Sequence, residues 1–226
     1  MRNRHNQKSG PFLIFDTPRR HMESVMCLGY RIGSIDHRDD FTNWVNKSIG
    51  YEYGKKFPAK ADVVDAEGLI KCCFKNARPK FLKTPVLVLP IIGSLDKKAQ
   101  ANAVVTKLAE AIGTANCRYR CDPTVLSKTA YDPIKTADKT ARQDRVCGAY
   151  RLKKKKILED YKSVLLVDDL VTTGATLNEA ARVIKASNKQ VAVFGFVLAR
   201  NNKHPVGWES FEKLVREIKK IKGAHS

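Results

Sequence analysis

Val164-Leu-Leu-Val-Asp-Asp-Leu-Val-Thr-Thr-Gly-Ala-Thr176 is the stretch on which the fold turns. The continuous apolar run from Ser163 to Val167 reads as a buried strand. Asp168 and Asp169 are expected to end it, and Leu170 to Ala175 to form a turn around Thr-Thr-Gly. A helix beginning at or near Thr176 and running to Ala186 puts Leu177, Ala180, Ala181 and Ile184 on one face. Backbone N–H groups at a helix start, together with threonine hydroxyls, cradle a phosphate. Gly174 lets the backbone approach such a ligand without a Cβ in the way. The two carboxylates repel a phosphate but accept hydrogen bonds from neutral hydroxyls beside it. A phosphate next to a diol is the outline of a ribose 5-phosphate.

The flanks extend the pattern. Val191 to Ala199 reads as a second buried strand, and Glu209 to Ile221 as a last helix with Phe211, Leu214, Val215, Ile218 and Ile221 on one side. Upstream, Val86 to Leu89 is a short β-branched strand that runs through Pro90 into the loop at Gly93-Ser94. Asp96 to Ile112 has helical spacing and stops at Gly113. A short strand is expected around Cys117 to Cys121, and residues 127 to 149 read as a long polar loop. Strands alternating with helices argue for an α/β fold with a doubly wound, mostly parallel sheet. Ligands of such sheets sit beyond the carboxyl ends of the strands, where these polar loops fall. The first 80 residues are mixed. They offer a basic tail, short strands at Phe12 to Phe15 and Val25 to Ile32, a helix near Asp39 to Ser48, and no long helical period. They are set apart as a small N-terminal region, with residues 81–226 as the core.

Composition narrows the class. No apolar run approaches the roughly 20 residues that span a bilayer, and the apolar stretch near the start is too short for a secretory signal, so a cytoplasmic protein is expected. The six cysteines, Cys27, Cys72, Cys73, Cys117, Cys121 and Cys147, form no C-x-x-C pair and read as reduced thiols rather than a metal site. With 42 Lys and Arg against 23 Asp and Glu, the formal charge is +19, which draws polyanions such as nucleic acid or phosphorylated metabolites. The runs at Lys153 to Lys156 and Lys219 to Lys222 lack interleaved aromatics, so a plain solvated basic surface competes with nucleic-acid contact.

The string Val167-Asp168-Asp169-x-x-Thr172-Thr173-Gly174-x-Thr176 resembles the phosphoribosyl-pyrophosphate (PRPP) motif of type I phosphoribosyltransferases. The resemblance implies that Asp168 and Asp169 hold the ribose hydroxyls and that Thr172, Thr173, Gly174, Ala175 and Thr176 wrap the 5-phosphate. It implies a pyrophosphate loop at Ile91, Ile92, Gly93 and Ser94, whose backbone N–H groups face the leaving group. It implies mobile-loop cations from Lys128, Arg142 and Arg145, with Lys135 and Lys139 beside them. Trp208 stands where the family often stacks a base, although a core or hinge role competes. The implied cofactor is Mg²⁺, bound mainly through PRPP, with no protein metal ligand assigned. The partners implied are PRPP and an acceptor that is a nucleobase or amine. A homodimer is common in the family. The N-terminal region takes the place of the family's hood.

A narrower resemblance is to the ComF-like, competence-associated subgroup. It rests on Val164 to Arg182, on Phe196 to Arg200 and on Ala141 to Tyr150, where Arg142, Val146, Gly148 and Ala149 match and Arg145 and Tyr150 depart. Two functions follow as expectations. One is transfer of phosphoribosyl to a nitrogen nucleophile with release of pyrophosphate. The other is a non-catalytic protein that senses PRPP or nucleotides, or binds nucleic acid.

Overall fold

The computed structural model describes residues 7–9, 11–15, 21–32, 40–49, 60–77, 79, 81–93, 101, 103–129 and 146–202. Nine strands are described: β1 (Gln7–Ser9), β2 (Phe12–Phe15), β3 (Ser24–Ile32), β4 (Val86–Pro90), β5 (Tyr119–Cys121), β6 (Leu126–Lys128), β7 (Tyr150–Leu152), β8 (Ser163–Val171) and β9 (Ala192–Asn202). The α-helices described are α1 (Asp40–Ile49), α2 (Lys60–Ala77), α3 (Ala103–Gly113) and α4 (Ala175–Ser187), with a 3₁₀ turn at Lys156–Asp160.

Seven strands form the main sheet in the order β1-β2-β3-β9-β8-β4-β5. β3, β9, β8, β4 and β5 run parallel, and β1 and β2 add an antiparallel edge. This is the mostly parallel α/β sheet that the alternation of elements predicts. Val164 to Val167 and Val86 to Leu89 are wholly buried, as central strands of a covered parallel sheet must be. Leu177, Ala180, Ala181 and Ile184 are the buried stripe of α4, which packs on β8 and β9. Phe12, Phe74 and Phe196 meet with ring centroids 5.0 to 6.1 Å apart and lock β2, α2 and β9 into one core. The strands among the first 32 residues therefore belong to the same sheet as the strands that follow.

Three local expectations are corrected. Asp168 and Asp169 do not end β8; it continues to Val171, because β9 is longer still and keeps pairing with it. Residues 127 to 149 are not one loop, since Lys128 closes β6 and β6 pairs antiparallel with β7 in a separate two-stranded sheet. Of the helix expected over Asp96 to Ile112, Ala103–Gly113 is helical and Ala101 is not, while residues 96–100 and 102 lie outside the described residues. The sequence shows no long helical period in the region of α2. Its buried stripe, Ala66, Ile70, Cys73 and Phe74, has helical spacing. Gly68 and the polar residues between interrupt that spacing to the eye. The expected last helix, Glu209 to Ile221, lies outside the described residues.

Candidate active site

The longer β8 is what builds the site. Its ladder with β4 ends at Pro90↔Val167, while its ladder with β9 continues through Asp168↔Val197 and Leu170↔Ala199 to Val171↔Arg200. Beyond Val167 the strand therefore keeps its ladder with β9 after its ladder with β4 has ended. Asp168 and Asp169, both half-buried, lie on that stretch. The Asp168 Oδ1 accepts from the Asp169 N–H at 2.9 Å, and the Asp169 Oδ1 accepts from the Leu170 N–H at 2.6 Å. Each carboxylate is thus oriented by the backbone that follows it.

The turn is three residues, Thr172 to Gly174, before α4 begins. Gly174 caps the helix at φ +73°, a left-handed conformation that an L side chain takes only with strain. Its carbonyl receives the first helical bond, from the Asn178 N–H at 2.9 Å, and a second from the Asn178 side-chain amide at 3.0 Å. The Thr173 hydroxyl accepts a long bond of 3.4 Å from the Ala175 N–H. The opening N–H groups of an α-helix have no acceptor within the helix and carry its positive dipole end. That end lies a few residues after the two carboxylates, so anion-binding and hydroxyl-binding chemistry sit side by side.

Next to it is the loop that leaves β4. The Ile91 N–H donates to the Val167 carbonyl at 2.8 Å, so this amide is spent in the sheet and is not offered to a ligand. The Lys128 ammonium donates to the carbonyls of Ile92 at 3.2 Å and Gly93 at 2.7 Å. The Tyr150 hydroxyl also donates to the Ile92 carbonyl, and the Lys128 ammonium lies 5.7 Å from the Tyr150 ring centre. The paired β6 and β7 are fastened in this way onto the loop after β4. Lys128 therefore anchors that loop, whereas the sequence predicts a cation on a mobile one.

A second anchor comes from α4. Glu179 accepts from the Gly148 N–H at 2.7 Å and from Arg182 at 2.8 and 2.7 Å, tying the turn before β7 to the helix that starts after Gly174. Burial, the largest single influence, pushes the Glu179 carboxyl up. The bonds from Arg182 and from the Gly148 amide together outweigh it and hold the group below the usual carboxylate range.

On the β9 side the site continues into the fold. The Asn201 amide nitrogen donates to the Thr172 hydroxyl at 3.0 Å. The Asn201 oxygen accepts from Arg31 Nη1 at 3.0 Å, and Arg31 Nε donates to Asn46 Oδ1 at 2.6 Å. Arg31 is 7% exposed and Asn46 2%.

The structure thus brings together Asp168, Asp169, Thr172, Thr173, Gly174, Ala175, Thr176, Ile91, Ile92, Gly93 and Lys128. Ser94, Arg142, Arg145 and Trp208 lie outside the described residues, as do Lys135 and Lys139. Arg31, Asn46, Asn201, Glu179 and Tyr150 were missed as site residues. Pairing of β3 with β9 joins Arg31 to Asn201 and α1 brings Asn46 to Arg31, and no local motif marks such a pairing.

Among the described residues no group of three or more His, Cys, Asp and Glu is placed to hold a metal. Two adjacent carboxylates fit a Mg²⁺ that takes most of its oxygen ligands from a phosphorylated substrate and water. The six cysteines are free thiols. Burial pushes the Cys27 thiol up to about 12, which keeps it neutral and inert. No helix among the described residues is long and apolar enough to cross a membrane.

Comparison with curated proteins finds no match. A family model described as "Phosphoribosyl transferase domain" matches residues 101–225, which takes in β8, the turn and α4. That match covers more than half of the chain, and the two carboxylates and the left-handed glycine fall within it; the chain belongs to the phosphoribosyl transferase domain family.

Proposed function

We propose that the chain binds PRPP along Asp168 to Thr176 and transfers its phosphoribosyl group to a nitrogen nucleophile, releasing pyrophosphate. The observation that carries this reading is the strand β8 that outruns its neighbour β4. Past the end of its ladder with β4 it carries two oriented carboxylates and then turns, at a left-handed glycine, into a helix start. In this reading Asp168 and Asp169 accept from the ribose 2- and 3-hydroxyls. The amides and hydroxyls of Thr172 to Thr176 hold the 5-phosphate. Backbone groups of Ile92, Gly93 and Ser94 face pyrophosphate, with Lys128 and Tyr150 keeping that loop in shape. When bound, Mg²⁺ supplies positive charge to the leaving group.

The nitrogen forms its bond to C1 as the C1–O bond to pyrophosphate breaks, and the nitrogen's proton passes to solvent. Positive charge grows on the ribose ring in the transition state, as in glycosyl transfer generally. The two carboxylates oppose that charge and fix the ring, so catalysis is by positioning and electrostatics, without a protein nucleophile. Within the family we read the chain as ComF-like, on the three matching stretches. Residues 81–226 are read as the phosphoribosyltransferase core. The first 80 residues are read as supplying the acceptor side while sharing the sheet. Arg142 and Arg145 are read as cations of the loop that closes over pyrophosphate, and Trp208 as the aromatic near the base.

The +19 charge favours a second reading, a PRPP- or nucleotide-sensing protein that binds nucleic acid. The two part on turnover. Calorimetric titration of PRPP with Mg²⁺ into wild type and Asp168→Asn/Asp169→Asn, with pyrophosphate release measured against a panel of bases and amines, is the test. Binding lost in the double variant and release with one acceptor is the expected result. Binding without release, joined by salt-sensitive binding to DNA, supports the second reading. No binding by wild type overturns the first reading and the PRPP-sensing form of the second.

A further inference from the structure

We propose that Arg31, acting through Asn201, is a positioning residue that sets the Thr172 hydroxyl to donate toward the 5-phosphate. The inference rests on the PRPP reading of the Thr172 to Thr176 turn. It begins with register. Arg31 and Asn201 are direct partners in the parallel β3–β9 ladder, and Arg200 beside Asn201 is the partner of Val171, the residue before Thr172. Three strand ends are therefore abreast, and their side chains bond in series from the buried Arg31 to the exposed Thr172.

The direction of that series is dictated by chemistry. A guanidinium only donates. The Asn201 side chain must turn its oxygen to Arg31, so its NH₂ faces Thr172. The Thr172 oxygen must then accept. A hydroxyl has one proton and two lone pairs, and with one lone pair committed to Asn201 its proton points away from Asn201. A phosphate ester dianion offers acceptors alone, so it gains from that polarity and would be repelled by the reverse one. A buried cation two bonds behind the turn thus dictates which face of a hydroxyl the ligand meets.

The far end of the series is fastened to α1. Arg31 Nε occupies the Asn46 oxygen, and the Asn46 amide nitrogen is buried with no hydrogen-bond partner among the described residues. An orphaned buried donor is a net cost. The network holds Arg31 in one orientation despite it.

The experiment is calorimetric titration of PRPP with Mg²⁺ into wild type, Thr172→Ala, Asn201→Ala, Asn201→Asp, Asn201→Asp/Thr172→Ala, Arg31→Met and Arg31→Lys, with urea unfolding of each. Thr172→Ala is expected to weaken binding about tenfold, the worth of one bond to a charged group. Asn201→Ala leaves the hydroxyl free to turn and is expected to cost only about threefold. Asn201→Asp offers the hydroxyl an acceptor, turns its proton away from the ligand, and is expected to cost about thirtyfold or more. In that background Thr172→Ala is expected to cost nothing further, because the hydroxyl is already misdirected; such non-additivity marks coupled residues. Arg31→Lys, also a pure donor, is expected to bind more tightly than Arg31→Met. The Asn201 and Thr172 variants carry the test if an Arg31 variant fails to fold. An Asn201→Asp loss no larger than that of Asn201→Ala, or losses that multiply in the double variant, overturns the positioning role while the PRPP site stands. A wild type that binds no PRPP removes the site reading itself.

Discussion

Gly29 on β3 allows α1 to approach the sheet, and Gly29→Ala tests that approach. A methyl built there lies 2.7 and 2.8 Å from Cε1 and Cζ of Phe41 and 3.2 Å from its Cδ1. Carbon atoms in contact rest at about 3.5–4.0 Å, so the ring must retreat by roughly 1 Å. Phe41 is 2% exposed and packs on Trp44 with ring centroids 5.9 Å apart, which leaves it little room to move. Overpacking a filled core costs about 1–3 kcal/mol. Replacing a strand glycine returns roughly 0.5–1 kcal/mol through the unfolded chain. The net expectation is a loss of about 1–2 kcal/mol, read as a lower urea midpoint at unchanged slope. Phe41→Leu shortens the side chain that the methyl strikes. Gly29→Ala/Phe41→Leu is therefore expected to be more stable than the sum of the single losses, by about 1 kcal/mol. A Gly29→Ala protein within about 0.3 kcal/mol of wild type, or strictly additive losses, refutes the packing argument. Because α1 also carries Asn46, the acceptor of Arg31, the same variant is expected to weaken PRPP binding.

Two further expectations concern α4. Gly174→Ala puts a Cβ at φ +73° and is expected to destabilise by about 1 kcal/mol by urea unfolding, with a larger loss of PRPP affinity in calorimetry. Glu179, held below the usual carboxylate range, contributes stability that is fully present above its unfolded-state value of about 4.3 and is lost as pH falls through its lower folded value. Urea midpoints measured from pH 6 down to pH 3 are expected to fall less steeply for Glu179→Gln than for wild type.

The parts of the fold legible in the sequence were those with a run or a period. Val164 to Val167 and Val86 to Leu89 announce central strands because both faces are buried, and Leu177, Ala180, Ala181 and Ile184 announce α4 through one buried stripe. The succession of strand, small polar turn and helix start around Thr172 to Gly174 was legible because the three are contiguous. Extent was less so. Asp168 and Asp169 look like a strand terminus, and only the length of β9 reveals that β8 continues past them. β6 and β7 are three residues each, too short to carry a period, so Lys128 read as a loop cation. Arg31 and Asn201 carry no local signal at all. They are 170 residues apart in the chain, and only the pairing of β3 with β9 joins them.

That separation has a consequence for how the chain is made. Val25, Met26, Cys27 and Leu28 of β3 are wholly buried in the finished sheet, yet their partner β9 emerges from the ribosome last among the described strands. At roughly 5–20 residues per second, β3 waits on the order of 10 to 35 seconds for it. Throughout that interval the hairpin of β1, β2 and β3 offers an apolar, unpaired strand edge to any neighbour. The proposed phosphate cradle is translated before β9, but the side chain that bonds to its first threonine arrives only with Asn201. Completion of the sheet and completion of the site are thus one event in biosynthesis, set by the arrival of a single strand.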